Sequence, residues 1–481
     1  SPNIKERADC SAALFTVKGE MLAQAEHIPV HLGAMPASVE AVLERFEPAP
    51  GIQYAVNDPF AGGTHLNDLT LVSPVFVDGS HVGWVGNRAH HADVGGEAPG
   101  SMPAHAVRLE QEGHVVSPMV CVAGGDWVPE FIEPFLAATR TPAERRGDLA
   151  AQMGANAVAA RRLEELVAAE GVERFREVSA ELLDYGERRM RAAVMDLPDG
   201  EYRFEDVMEW GETDVPIRVA LTISGGTVTA DFGGTHPQIS ANFNAPEAVT
   251  RSCLYYALRV ATDPQIPANG GCYRGVELIA EPGSLVAAVA PAAVAAGNVE
   301  TSQRIADVLL GALAQAAPDR VPAASQGTMN NCLIGNDRFA YYETVAGGQG
   351  GRPGRAGQSG IQTGMTNTKN TPRESLEGHY PFKVTRTTLR RDSGGIGEFA
   401  GGDGIEREIL FEEDATVSLM GDRRRHGPWG LAGGGPGAVG EDWLIRMDGG
   451  RERLAAKTTF EVRPGDRLLI RTPGGGGWGR P

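Results

Sequence analysis

The sequence predicts an α+β fold of several layers, β-rich in its N-terminal and C-terminal parts and helical in a middle segment. Three observations carry this. Residues 1–128 alternate apolar and polar positions around Lys-Gly and Asp-Gly pairs. Residues 129–197 turn to Ala, Leu, Glu and Arg with apolar positions three and four apart, and from about Met329 short β-like runs are separated by glycine clusters. At 481 residues, 42% apolar and 22% charged, the chain suffices for several packed units, while 63 glycines and 31 prolines are more than a helix-rich protein carries.

Taken in order, 1–128 is a β-rich region that holds two hairpins. "CSAALFTVKGEMLAQ" turns near Lys18-Gly19, and "LTLVSPVFVDGSHVGWVGNRA" turns at Asp78-Gly79. The 129–197 segment holds two or three amphipathic helices, which "DLPDGEYRF" then breaks. An α/β region at 198–328 contains a hairpin closed at Gly225-Gly226 and helices in "PEAVTRSCLYYALRVAT" and "ETSQRIADVLLGALAQA". The last region, 329–481, is Gly-rich and β; its clusters, such as "GGQGGRPGRAGQSG" and "GGGGWGRP", are irregularly spaced and read as turns and mobile loops.

Sixty-two acidic against 44 basic residues give a formal charge of -18, which repels a phosphate backbone and argues against nucleic acid as a partner. The five cysteines (Cys10, Cys121, Cys253, Cys272, Cys332) form no C-x-x-C pair, as expected of reduced thiols in a cytoplasmic protein. No run of eighteen apolar residues or signal h-region is present, so a soluble, cytosolic protein without membrane contact is expected.

Six of the eleven histidines lie between His65 and His114. If 69–77 pairs with 81–89 across the turn, residue 68 comes opposite residue 89 or 90, and the clusters "THLND" and "AHHAD" meet at the hairpin's open end. Imidazoles and carboxylates converging from rigid strands are what a catalytic metal with an open coordination position requires. His65, Asp68 and His90 are the natural set. His91 and Asp93 are rivals, because a one-residue slip exchanges the inward-facing side chains, and Asp9 in "ERADCS" is a further recruit. The competing account is local: the Thr-His-Leu-Asn-Asp loop satisfies backbone donors and "AHHAD" caps a short helix. Mixed imidazole and carboxylate ligands suit a divalent metal such as Zn, Mn or Fe.

Two further stretches invite anions. Residues 341–372 combine Glu343, glycines and arginines but carry no G-x-x-x-x-G-K-[ST], so a nucleotide site is poorly supported there. "GDRRRHGPWG" concentrates Arg423, Arg424 and Arg425, suited to a carboxylate or phosphate, or else to pairing with the acids of "FEEDA". Ser359 in "GQSG" is not a nucleophile elbow.

"SPNIKERADCSAALF", "AEHIPVHLGAMP", "NDPFAGGTHLNDLTLVSPVF" and "HHADVGG", with "MTNTKNTPRESLE", "DRRRHGPWGLAGG" and "TPGGGGWG" further on, resemble the hydantoinase B family over nearly the whole chain. That family includes the B-type subunits of ATP-dependent hydantoinases, the matching half of 5-oxoprolinase and a related subunit of acetone-type carboxylases. The resemblance implies a metal-bearing subunit in a hetero-oligomer, partnered by an A-type subunit of actin-like fold that binds the ATP. It implies that His65, Asp68 and His90 match the family's metal ligands, which selects His90 over His91, with Asp9 as a possible fourth. Relatives carry a few dozen more N-terminal residues, so an element there is expected to be absent, cleaved or supplied otherwise. The carboxylase subunits are longer, which makes the ring-opening branch the better match. The implied activity is ATP-dependent opening of a hydantoin, 5-oxoproline or other lactam, with Asp93 or His91 shuttling protons and Arg424 holding a substrate carboxylate. A ketone carboxylase subunit and a non-catalytic scaffold are the alternatives.

Overall fold

The computed structural model describes residues 1–25 and 27–481; Glu26, inside the "AEHIPVHLGAMP" motif, lies outside them. A short N-terminal helix, α1 (Pro2–Lys5), leads into a seven-stranded antiparallel sheet. Its strands are β1 (Cys10–Phe15), β2 (Met21–Ala25), β3 (Ile52–Val56), β4 (Asp68–Val77), β5 (Ser80–His90), β6 (Met119–Ala123) and β7 (Asp126–Trp127), in the order β2-β1-β5-β4-β3-β6-β7.

Because β4 and β5 are central and covered on both sides, they are buried on both faces. Helix α2 (Ala34–Leu43) packs Met35, Val39 and Val42 against Phe15, Tyr54, Val72 and Trp84 on one face. On the other face, Phe131 and Phe135 of α3 (Pro129–Ala138) and Leu149 of α4 (Pro142–Glu170) meet Leu69 and Leu71. Gly171, at φ +86°, ends α4 and lets α5 (Val172–Met195) turn back.

The next sheet runs β11-β10-β9-β8, with β8 (Gly200–Trp210), β9 (Thr213–Ser224), β10 (Thr227–Asp231) and β11 (Val276–Ile279). Gly225 and Gly226 close the hairpin between β9 and β10, both at positive φ. Against this sheet lie α6 (Glu247–Ala261) and α7 (Ser302–Ala316), which bury Leu254, Leu258, Leu309 and Leu313 in the largest core. A π-helical turn, Gly297–Thr301, precedes α7.

Beyond Met329 lie two more sheets whose strands interleave in sequence, with α8 (Arg373–His379) between β13 and β14. One is β13-β12-β16-β19, from β12 (Asn331–Gly335), β13 (Ala340–Thr344), β16 (Ala415–Met420) and β19 (Lys457–Val462). The other is β14-β15-β20-β17-β18, from β14 (Phe382–Arg390), β15 (Gly404–Phe411), β17 (Glu441–Ile445), β18 (Arg451–Arg453) and β20 (Arg467–Arg471). The α+β class is as the sequence predicts.

The glycine clusters correct the expectation of mobile loops. Consecutive amides of the terminal run donate to three neighbouring segments in turn: Gly474 to Ala438, Gly475 to Gly402, Gly476 to Ala324, and Gly477 back to Gly435 of the first. This rotation of partners is the habit of a three-residue-per-turn extended helix, not of a two-sided β ladder. A Cβ on Gly475 would lie 2.1 Å from the Gln349 carbonyl oxygen, and one on Gly476 2.1 Å from that of Trp429. These runs are therefore glycine because backbones pack directly on one another.

Candidate metal centre

The site begins in the β4–β5 turn. Asp78 (φ 47°) and Gly79 (φ 78°) both sit in the left-handed region, giving the tight two-residue hairpin in which Val77 pairs with Ser80. A plain ladder from that turn would set Asp68 opposite Ala89. Instead Phe76 pairs with His81 but Val75 pairs with Gly83, so the extra residue, Val82, shifts the remaining register by one and Asp68 faces His90. Gly83 makes the bulge possible, since a Cβ there would lie 2.5 Å from the Phe15 carbonyl oxygen on β1.

Directly opposed side chains share a face and neighbours alternate. His90 thus joins Asp68, and His91 turns away. His65 comes from the turn before β4, closed by the Asp68 amide donating to the His65 carbonyl at 3.0 Å. His65 Nε2 lies 3.2 Å from His90 Nδ1, and Asp68 Oδ1 lies 3.4 Å from each. Tetrahedral bonds of about 2.0–2.1 Å place ligand atoms roughly 3.3–3.4 Å apart, so this triangle has the size that a zinc-like ion requires. All three residues are buried, and the outer nitrogens, His65 Nδ1 and His90 Nε2, have no hydrogen-bond partner among the described residues. The donor set fits a divalent cation.

The other carboxylate oxygen, Asp68 Oδ2, is anchored from behind. Thr64 Oγ1 donates to it at 2.8 Å, His31 Nε2 lies at 3.4 Å, and Asn298 Nδ2 of the π-helical turn donates at 3.4 Å. His31 is itself held by Ser11 Oγ, 2.9 Å from Nδ1. Tyr342 of β13 stacks on His90 with centroids 4.4 Å apart.

Burial works to raise the Asp68 carboxyl, but the attraction of His65 and contacts from His31, His65 and His90 hold it well below the usual carboxylate range. Burial pushes His90 down to about 4 against the opposing pull of Asp68, and also lowers His31. A neutral His90 imidazole beside an ionised carboxylate is the ligand state a cation takes up. Asp9 lines the same small cavity outside the triangle; burial first, then the Asp68 charge, raises its carboxyl to about 7. The cavity leaves about 20 Å³ for the centre of a water-sized sphere.

The structure does not bring His91, Asp93 or Arg424 to this cavity. His91 Nε2 meets Gln152 of α4 at 2.9 Å and its ring abuts the edge of Phe135. Asp93 accepts from the amides of Gly95, Gly100 and Arg140 and pairs with the Arg140 guanidinium at 3.0 Å. Arg424 bonds Asp442, Asn330 and the Asp422 carbonyl. The neighbouring arginines pair with Asp206, Asp307 and Asp214, not with the acids of "FEEDA". Glu343 of the Gly-rich stretch is spent on Arg407 at 2.8 Å.

Spacing alone does not point to His31, Thr64, Asn298 or Tyr342. Thr64 adjoins the "HLND" cluster, and His31 lies in "AEHIPVHLGAMP", whose only signal is its resemblance. Asn298, in "GNVETSQR", carries no local signal.

The Hydantoinase B/oxoprolinase family model matches residues 1–481. An uncharacterized protein of Methanocaldococcus jannaschii is 41% identical, over 100% of this chain and 86% of its own length. 5-oxoprolinase 1 of Arabidopsis thaliana is 39% identical over 100% of this chain, which spans only 40% of that protein. A protein of a Pseudomonas strain, named for the B-type component of a D-/L-hydantoinase, is 30% identical over 99% of this chain and 85% of its own. Among solved structures, the ATP-dependent caprolactamase of Pseudomonas jessenii superposes with a TM-score of 0.92 at 31% identity, covering 99% of this chain and 86% of that one. Acetone carboxylase superposes at 0.91 over 100% of this chain and 72% of its own, and at 21% identity it speaks for the fold alone. No helix among the described residues is long and apolar enough to cross a membrane.

Proposed function

From the chain's membership of the hydantoinase B/oxoprolinase family, we propose that it is the metal-bearing catalytic subunit of an ATP-dependent cyclic-amide hydrolase, working with an A-type ATPase subunit. The observation that carries this reading is the triangle of His65, Asp68 and His90 at 3.2–3.4 Å inside a buried cavity. The names of the relatives support it: one is a 5-oxoprolinase, one a hydantoinase component of the B type, and a third an ATP-dependent caprolactamase. All three names concern a cyclic amide.

His65 Nε2, Asp68 Oδ1 and His90 Nδ1 would hold the cation, with Asp9 as a fourth group beside them. When bound, a Zn, Mn or Fe(II) ion supplies Lewis acidity and makes water a better nucleophile near neutral pH. The chain's own residues do the rest. Thr64, His31 and Asn298 fix Asp68 so that Oδ1 faces the imidazoles. Ile28, Val30, Val299 and Met329 give the cavity an apolar lining that limits water. His91 and Asp93 brace the end of β5 from the opposite face and take no proton from substrate.

An unstrained amide resists water, so activation falls to the partner: it transfers a phosphoryl group from ATP to the carbonyl oxygen, water then adds to the carbon, the C–N bond breaks as the ring nitrogen takes a proton, and a second water releases phosphate from the acyl phosphate to leave the carboxylate. The test is the purified chain with its A-type subunit, ATP and metal, against a panel of hydantoins, 5-oxoproline and lactams. Ring opening of at least one that needs both subunits is expected; none overturns the reading.

A further inference from the structure

The motif "MTNTKN" (365–370) forms one wall of the cavity. Thr366 and Thr368 line it together with Thr344 of β13. Burial alternates along the segment: Thr366 and Thr368 are buried while Asn367 and Lys369 are exposed. The Lys369 amide donates to the Arg7 carbonyl at 3.0 Å and pins the segment in place.

Behind the threonines sits Arg7, fully buried, with no carboxylate within ion-pair distance among the described residues. Its charge acts on the Asp9 carboxylate and its Cζ lies 5.1 Å from the centroid of the Tyr342 ring, but no ion pair among the described residues neutralises it. Its Nη2 donates to Thr344 Oγ1 at 3.0 Å and to Thr368 Oγ1 at 3.2 Å, and the two hydroxyls are 2.6 Å apart.

Proton accounting then fixes the direction. Gln362 Nε2 also donates to Thr344 Oγ1 at 3.1 Å, and its contact with the Thr344 carbonyl at 3.3 Å fixes that amide's orientation. With both lone pairs taken, Thr344 must donate to Thr368. Thr368 Oγ1, accepting from Arg7 and Thr344, keeps its own proton to give, with no further acceptor for it among the described residues.

We propose that Thr368, polarised by Arg7 through this hydroxyl pair, donates a hydrogen bond to an anionic ligand oxygen in the cavity, one of those of the carboxylate that ring opening creates. This rests on the proposed function for the reaction, but the site itself is a binder of small oxyanions with or without it. Arg7 is the positioning residue and Thr368 the one that touches the ligand.

Formate, a planar carboxylate of the smallest size, is the probe. The full chain loaded with manganese(II) is titrated with formate, binding is followed by paramagnetic broadening of its ¹³C resonance, and bound manganese is counted separately. Thr368→Val is expected to hold as much manganese as the unaltered chain but to bind formate about tenfold more weakly or worse, whereas Thr368→Ser stays within about threefold, the span of one charge-assisted hydrogen bond. Arg7→Gln is expected to weaken formate as well, with Arg7→Lys recovering part of the loss. Equal formate affinity in Thr368→Val at equal manganese, or no formate binding to the unaltered chain, overturns the proposal. A chain that takes up no manganese overturns the proposed function instead. Formate binding to the metal-free chain, read by ¹³C saturation transfer, then decides Thr368 by the same comparison.

Discussion

Asp68 and His90 stand opposite each other in the ladder of β4 and β5, and Asp68 Oδ1 comes within 3.4 Å of His90 Nδ1 on the face covered by α2. One inserted residue in β5 produces this meeting. Without the bulge at Val82 and Gly83, Asp68 would face Ala89, and the two adjacent histidines would exchange faces. The chain therefore distinguishes His90 from His91 by geometry.

That distinction predicts opposite outcomes for neighbouring substitutions. His90→Ala removes a corner of the triangle and should lower metal affinity by more than about 100-fold, as should His65→Ala. His91→Ala leaves the triangle whole and should keep metal affinity within a few-fold, at a cost in stability for the buried Gln152 contact. Metal content after dialysis, with melting temperature measured alongside, checks both. Metal loss in His91→Ala at an unchanged melting temperature would contradict the register.

The residues behind Asp68 make a second, smaller prediction. Thr64 and Asn298 touch only Oδ2, so Thr64→Val and Asn298→Ala keep every ligand atom but free the carboxylate to rotate. Loss of such outer partners typically weakens a metal by about 10- to 100-fold. Competition with a chelator of known affinity should find both variants in that range and His90→Ala beyond it.

The sequence showed the α+β class, the turn at Asp78-Gly79 and the two polar clusters, because alternation and turn chemistry are local. It left the register ambiguous by one, since nothing in "VFVDGSHVGW" announces that Val82 bulges; the need for Gly83 arises from Phe15, distant in sequence. His31 and Asn298 reach Asp68 from segments 37 and 230 positions away, so only the assembled fold brings them together. The glycine clusters misled for the same reason: flexible loops and backbone-packed runs share a composition, and the distinction is what surrounds them.

Glycine substitutions separate those two meanings. Gly154, on the exposed side of α4, has nothing within 4 Å of an added Cβ, so Gly154→Ala should stabilise by about 0.5–1 kcal/mol through helix propensity. Gly475→Ala would drive a methyl to 2.1 Å from the Gln349 carbonyl oxygen, where backbone has no room to yield, and should cost about 3 kcal/mol or more, or prevent folding. Denaturant midpoints of the two variants should move in opposite directions. A neutral Gly475→Ala would mean that the packed bundle does not hold.

Glu112, which lies away from the cavity, makes the stability of the fold depend on pH. This fully buried side chain accepts from the amides of Val294 at 3.0 Å and Ala295 at 2.9 Å, tying the loop after the short helical turn Leu109–Gln111 to the segment leading into the π-helical turn. Burial raises its carboxyl from 4.5 to about 8, with those two amides pulling the other way. Between those values the folded chain keeps a proton that the unfolded chain releases. Stability is therefore fully present below the unfolded value and falls as pH rises towards 8, with a slope approaching about 1.4 kcal/mol per pH unit from this group. Above 8 the slope from Glu112 vanishes, because both states are ionised. Glu112→Gln keeps an acceptor of the same shape and removes the titration, so its denaturant midpoint should change less between pH 5 and 8 than that of the unaltered chain. If the two chains show parallel pH profiles, Glu112 is ionised throughout, and the amide contacts outweigh its burial.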